Sequence, residues 1–177
     1  MTQKKPTLLD FAILGLIHQK AQTGYQIRKT FADTAMGNYS SSPGTIYPAL
    51  NRLQKMDLIE KIQQKGSDKL VFQIKNSGVE ILKKWLIKPL EKEDIEKKNH
   101  EVLLRFAFMD SLVSLKQKIV FLKSFETLQT EYVHELQTYF DEAAKDMPLH
   151  GRLAFEYGIV SGKTTLKWCK KVIKEIQ

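Results

Sequence analysis

Within SSPGTIYPALNRLQKMDLIEK, Ser41 to Lys61, hydroxyl, amide and cationic side chains recur at helical spacing, a set suited to binding a polyanion. On a helical wheel Ile46, Ala49, Leu50 and Leu53 share one inward face. Thr45, Tyr47, Asn51, Arg52 and Lys55 are left on the outer faces, with Ser41 and Ser42 at the entrance. Serine, threonine and tyrosine hydroxyls suit phosphate oxygens, whereas Asn and Arg can read adenine or guanine edges in the major groove. The second helix of a helix-turn-helix meets DNA in this way, through the side chains and free N–H groups of its first turns. Taken singly, each of these positions also reads as solvated surface, and Arg52 as the partner of an acidic neighbour such as Asp57. Tyr25, Arg28 and Lys29 open the preceding helix, the one that crosses the DNA backbone in this architecture. Lys65 and Lys69 lie at a hairpin tip, over an adjoining phosphate or minor groove unless they are merely solvated.

The prolines of the same stretch bear on where its helix starts. Pro43 suits the first helical position, where a missing N–H is harmless and the fixed φ begins the turn after a Ser42 cap. Counted from Ser42, Pro48 lies past the free N–H positions and loses one bond; counted from Thr45 it loses little. The expectation is regular hydrogen bonding from about Thr45, with Ser-Pro-Gly as a rigid lead-in.

Other chemistries find little support. GIVSGKTT, Gly158 to Thr165, has three residues between its glycines and Tyr157 ahead of them, whereas a phosphate-binding loop needs four and a preceding strand. His18, His100, His134 and His150 are far apart and lack metal-ligand spacing. No serine or cysteine sits in a nucleophile elbow. These readings give no catalytic site, no metal and no cofactor. The single cysteine, Cys169, excludes an intramolecular disulfide framework and suits a reducing cytosol. Beside Trp168 and Val172 it reads as a packed apolar residue rather than a reactive thiol.

The elements that would hold the site are well announced. Thr7 and Asp10 form a capping box ahead of Leu9, Ala12, Ile13, Leu16 and Ile17 at i, i+3, i+4, i+7, i+8 spacing. Thr23 and Gln26 form a second, followed by Ile27 and Phe31. The third helix runs to about Met56. Two strand-like runs follow, Leu58 to Ile62 and Leu70 to Ile74, the second alternating Leu70, Phe72 and Ile74 against Val71, Gln73 and Lys75. Three short helices and a hairpin in this order make a winged helix-turn-helix. After Gly78 a helix carries Val79, Leu82, Trp85 and Leu86, and EKEDIEKKN, Glu91 to Asn99, reads as a charged joint. Beyond it Leu115, Ile119, Leu122, Phe125, Leu128, Tyr132, Leu136 and Tyr139 step by threes and fours. Pro148 and Gly151 break the chain before a last amphipathic helix.

The fold class is therefore mainly α with a small β-hairpin wing. A winged helix-turn-helix DNA-binding domain over 1–90 precedes a helical C-terminal dimerisation domain over 91–177. Apolar faces this wide ask for a partner surface, most simply a second copy, unless they close on the N-terminal half. The charge follows the same division. Through Lys88 there are 14 Lys/Arg against 6 Asp/Glu, and from Pro89 onward 14 of each, so the whole net +8 falls on the first half. Such asymmetry fits a polyanion-binding surface there, although lysines kept for solubility give a similar total. Lys4 and Lys5 precede LLDFAILGLI as in a signal peptide, but Asp10 interrupts the run and no cleavage pattern follows before HQKAQ. The run is also too short to span a bilayer. A soluble, cytoplasmic protein with no membrane partner is expected.

GTIYPALNRLQKMDLIEK, preceded by SSP and by GYQI at Gly24 to Ile27, resembles the PadR family of winged-helix transcriptional regulators. AILGLI matches its first helix, and LKKWLIKPLE and FEYGIVSGKTTLKWCKKVI resemble the longer members with a helical pairing domain. The departures are Gln26, where the family has an acid; a hairpin without the Arg- and Tyr-rich wing; and Lys75 for a threonine, leaving Asn76 or Ser77 to cap the next helix. The resemblance implies a homodimeric repressor on a pseudo-palindromic operator, released by a small hydrophobic or aromatic effector such as a phenolic acid. Trp85, Phe106, Phe108, Tyr157 and Trp168 are the candidate stacking surfaces for it, and core residues otherwise. The competing function is a winged-helix protein–protein interaction module without specific DNA binding.

Overall fold

The computed structural model describes residues 5–34, 36, 43–64 and 66–177, and the chain divides into two compact units, Met1–Leu86 and Ile87–Gln177. The first unit runs α1 (Leu8–Gln19), α2 (Gly24–Asp33), α3 (Pro43–Lys55), β1 (Ile59–Gln63), β2 (Leu70–Ile74) and α4 (Asn76–Leu86). Its order is that of a winged helix-turn-helix.

Helix α1 begins at the expected capping box: the Asp10 N–H donates to Thr7 Oγ1, and the Thr7 N–H donates to Asp10 Oδ2 at 2.8 Å. From Ala12 to Ile17 every residue is buried, so α1 needs cover on all sides, and α3, β2 and α4 supply it. Phe11 stacks on Trp85 of α4 with ring centroids 4.5 Å apart. Helix α2 opens on the Thr23–Gln26 box, in which Gln26 Oε1 accepts from the Thr23 N–H at 2.9 Å. The cap needs an acceptor oxygen and no charge, so glutamine serves in place of an acid.

Helix α3 starts earlier than the prolines suggested. It is helical from Pro43, which makes Pro48 its sixth residue, beyond the first turn, where one intrahelical bond is forgone. Burial of Ile46, Ala49, Leu50 and Leu53, each at most 1% exposed, offsets that loss. The far end closes in a Schellman motif around Asp57, whose φ of 58° is left-handed. The Asp57 N–H donates to Gln54 O and the Leu58 N–H to Leu53 O, both at 3.0 Å. The chain thereby reverses directly into the wing.

Strands β1 and β2 pair antiparallel from Ile59↔Ile74 to Gln63↔Leu70, and Gln22 adds an isolated bridge to Phe72. The expected alternation in β2 does not hold: Val71 and Phe72 are both buried and Leu70 is 58% exposed. Leu70 sits opposite Gln63 at the open end of the ladder, past the edge of the core, while the Gln22 bridge covers Phe72. Helix α4 begins at Asn76, ahead of Gly78, and neither Asn76 nor Ser77 caps it as expected. Ser77 Oγ donates to the Asp57 carbonyl at 2.6 Å, and the Lys75 carbonyl receives the Val79 N–H. A β-carbon on Gly78 would lie 2.3 Å from the Leu58 carbonyl oxygen, so this crossing of α4 and the wing requires glycine.

The second unit is helical: α5 (Lys92–Lys97), α6 (Asn99–Ala107), α7 (Leu115–Ala143) and α8 (Leu149–Ile176). The stretch expected as a charged joint forms α5, capped by Glu91 and tied to α7 by Lys92–Glu135 at 2.7 Å. Helices α7 and α8 pack antiparallel, with Leu122 beside Cys169, Val133 beside Gly162 and Phe140 beside Phe155. A β-carbon on Gly162 would meet Val133 Cγ2 at 2.6 Å, so the bare backbone sets the helix separation. Gly151, expected as a breaker, lies inside α8. Cys169 is buried with its Sγ donating to the Leu122 carbonyl, and burial pushes its thiol up to about 11, which keeps it protonated and inert. Among the described residues no helix is long and apolar enough to cross a membrane.

Candidate nucleic-acid interface

The opposite side of α3 from its buried face carries the chemistry. Thr45, Tyr47, Asn51 and Lys55 are all exposed, Tyr47 at 46%. Asn51 and Lys55 border a shallow concavity with Pro48, Arg52 and Met56. Hydroxyls, an amide and an ammonium group thus occupy one rigid helix backed by core, and rigid presentation is what base and phosphate contacts require. Lys55 lies in the last turn, so its charge also suits the negative end of the α3 dipole.

The N-terminal half of α3 is held by a contact that its own residues do not announce. A β-carbon on Gly24, the first residue of α2, would lie 2.8 Å from Tyr47 Cε1. Glycine there lets the Tyr47 ring lie against the start of α2. The GYQI and GTIYPAL segments thereby meet at Gly24 and Tyr47, with about half of the Tyr47 surface left open.

Arg52 departs from the expectation. Its guanidinium is not directed to Asp57; it forms a two-bond fork with Asp10 of α1, Nε to Oδ2 at 3.0 Å and the terminal nitrogen to Oδ1 at 2.6 Å. Asp10 is fully buried and its Oδ2 also accepts from the Thr7 hydroxyl at 2.9 Å. Asp57 pairs instead with Lys75 of the wing, and this partner holds the Lys75 ammonium above its ordinary range. A fork between residues 42 apart in sequence leaves no local signal. The one available hint was Asp10 itself, an acid inside an apolar run.

Of the remaining expected residues, Tyr25 is 59% exposed, and Arg28 is half-buried with its guanidinium over the Tyr25 ring at 5.3 Å. This cation–π contact presents the two as a unit at the start of α2. Lys69 is exposed beside the wing tip, where Gly66 takes a positive φ of 72°. Ser41, Ser42 and Lys65 lie outside the described residues.

The five aromatics considered for an effector are not gathered into one site. Trp85 stacks on Phe11 in the first unit. In the second, Phe106 meets Trp168 edge-on at 5.8 Å, Phe108 is core and Tyr157 is 74% exposed. A cavity of about 350 Å³ lies elsewhere in the second unit. Ile87, Pro89, Leu90, Val120 and Phe121 form its apolar walls, with Lys88, Lys116 and Gln117 beside them. Phe121, one of those walls, also lies under the Arg105 guanidinium, with 4.9 Å to the ring centroid. Sequence periodicity had marked neither Val120 nor Phe121.

A helix pair with an exposed polar second helix and a two-stranded wing places the first unit in the winged helix-turn-helix class. Residues 13–84, within this unit, match the model of the Transcriptional regulator PadR-like family. The transcriptional regulator YqjI of Escherichia coli K12 is 35% identical over 63 residues, 36% of this chain and 30% of that protein. The chain thus spans under a third of that relative's length. The probable transcriptional regulator Rv1176c of Mycobacterium tuberculosis is 25% identical over 96% of this chain and 97% of its own. Bacillus subtilis PadR in complex with operator DNA is similar at 22% identity and a TM-score of 0.41, covering 97% of this chain and all of that one.

Proposed function

We propose that the protein is a sequence-specific DNA-binding transcriptional regulator that acts as a homodimeric repressor. The observation that carries this reading is the exposed row Thr45, Tyr47, Asn51 and Lys55 on α3, backed by a fully buried face, in the half of the chain that holds the whole net +8. Asn51 contacts a base edge; Thr45, Tyr47 and Lys55 contact phosphates; Tyr25 and Arg28 meet the backbone from α2; Lys69 reaches an adjoining phosphate from the wing. Arg52 is reassigned from base reading to holding the helix, because Asp10 occupies its guanidinium. The names of the YqjI and Rv1176c relatives support the class of function.

Dimerisation is assigned to the second unit, where Leu149, Leu153, Tyr157 and Val160 form an exposed stripe along α8. Two copies joined there would read a pseudo-palindromic operator. A small aromatic effector, suggested by the family resemblance, is assigned to the cavity beside Phe121, whose volume is in the range of small-ligand sites.

The test is retention of sheared genomic DNA by the purified protein, with and without a panel of aromatic acids. The expected result is a small set of fragments bound against competitor, released by an acid. Their affinity should fall with salt at a slope of roughly −0.9 per phosphate neutralised. Absent or salt-insensitive retention would mark a protein-interaction module instead.

A further inference from the structure

We infer that Asp10, a buried carboxylate on α1, is a positioning residue for DNA recognition: it holds α3 through Arg52 and keeps the Arg52 charge out of the DNA contact. This inference rests on the DNA-binding reading above and deepens it.

Both Asp10 oxygens are engaged, Oδ1 by Arg52 and Oδ2 by Arg52 Nε, the Thr7 N–H and the Thr7 hydroxyl. The Thr7 bonds belong to the α1 cap, so the carboxylate is fixed to the most deeply buried helix of the unit before Arg52 reaches it. Two parallel N–H···O bonds define a plane as well as a distance, and a fork of this kind resists rotation of α3 about its own axis. Azimuth matters here because Asn51 precedes Arg52 directly and Lys55 follows one turn later. Rolling α3 would swing both away from a groove. Tyr47 against Gly24 holds the first half of the helix, and the Arg52–Asp10 fork holds the second.

The fork also changes the charge account. A guanidinium matched to a buried carboxylate displaces no counterion from DNA, so Arg52 should add nothing to the salt slope although it borders the concavity with Asn51 and Lys55. Asp10→Asn removes the charge and keeps an acceptor oxygen for the Thr7 cap. The Arg52 side chain, already 32% exposed, is then left without its anion.

The test measures affinity of the full chain for one genomic fragment that the wild type retains and for random DNA of equal length, across a salt series. The variants are Asp10→Asn, Arg52→Gln, Arg52→Lys and the double variant Asp10→Asn/Arg52→Gln. The expected results are a fall of roughly tenfold in the ratio of the two affinities for each single variant, and no further fall for the double. Arg52→Gln should leave the salt slope unchanged. Arg52→Lys, which keeps one bond to Asp10, should recover part of the ratio. A purely stabilising pair lowers the active fraction for both DNAs alike, so an unchanged ratio overturns the proposal. So does a slope reduced by about one in Arg52→Gln with Asp10→Asn at wild-type affinity, since Arg52 would then be a direct contact. Wild-type protein that retains no fragment overturns the DNA-binding reading and this inference with it.

Discussion

Asn51 is the described residue on the exposed face of α3 with both a donor and an acceptor suited to an adenine edge. Leu50 and Leu53 near it are only 1% and 0% exposed, so its backbone is held and its amide faces outward. Asn51→Ala should therefore relax preference for the operator by roughly 1–3 kcal/mol and leave random DNA nearly unaffected, as read by competition binding. Equal loss on both DNAs would make Asn51 a phosphate contact. Tyr47 and Arg52 lie on the same outer faces but differ in kind. Each is tied to another element, Tyr47 to Gly24 and Arg52 to Asp10, so each spends part of its surface on holding α3.

At the scale of the elements, α3, the wing and α4 meet around Asp57. Its left-handed φ ends α3, its carboxylate pairs with Lys75, and its carbonyl receives Ser77. The same corner brings Gly78 against the Leu58 carbonyl. Gly78→Ala places a methyl carbon where backbone stands, and backbone cannot rotate out of the way as a side chain can. The expected loss is about 1–3 kcal/mol of stability, seen as a lower urea midpoint with an unchanged slope. A midpoint equal to the wild type would mean that α4 shifts freely on the wing. The helices and the hairpin here were legible from capping boxes and apolar periodicity, because those signals act within a few residues. The start of α3 was not: burial of Ile46, Ala49 and Leu50 outweighs the bond lost at Pro48, and burial is set by neighbours distant in sequence. The β2 alternation failed for the same reason, since Gln22 and the ladder end decide which of its residues are covered.

At the scale of the whole molecule, the exposed stripe on α8 is the feature that one chain leaves unsolved. The heptad-like pattern on α7 is partly used within the chain: Leu122 and Phe125 are buried beside Phe121, Gln129 and Val133. Leu149, Leu153, Tyr157 and Val160 are not, each half or more exposed. A Leu153→Glu/Tyr157→Glu variant should sediment as a monomer while the wild type sediments as a dimer, with helix content retained by circular dichroism. Operator binding should weaken with it, because one half-site contributes only part of the contact. A wild-type monomer at micromolar concentration would remove the dimer from the proposal.

The sequence by itself determined the element order of the first unit, the capped starts of α1 and α2, the buried and exposed faces of α3 and the placement of the excess positive charge. All of these follow from spacing within a helix or from simple counting, and need no partner. Tertiary structure alone decided what the exposed residues are free to do. Asp10 takes Arg52 from 42 residues away, Gly24 seats Tyr47, and the apolar cavity forms beside Phe121 rather than among the aromatics that looked available. Long-range pairing depends on which surfaces the fold brings together, and a buried carboxylate or a missing β-carbon carries no periodicity to announce it.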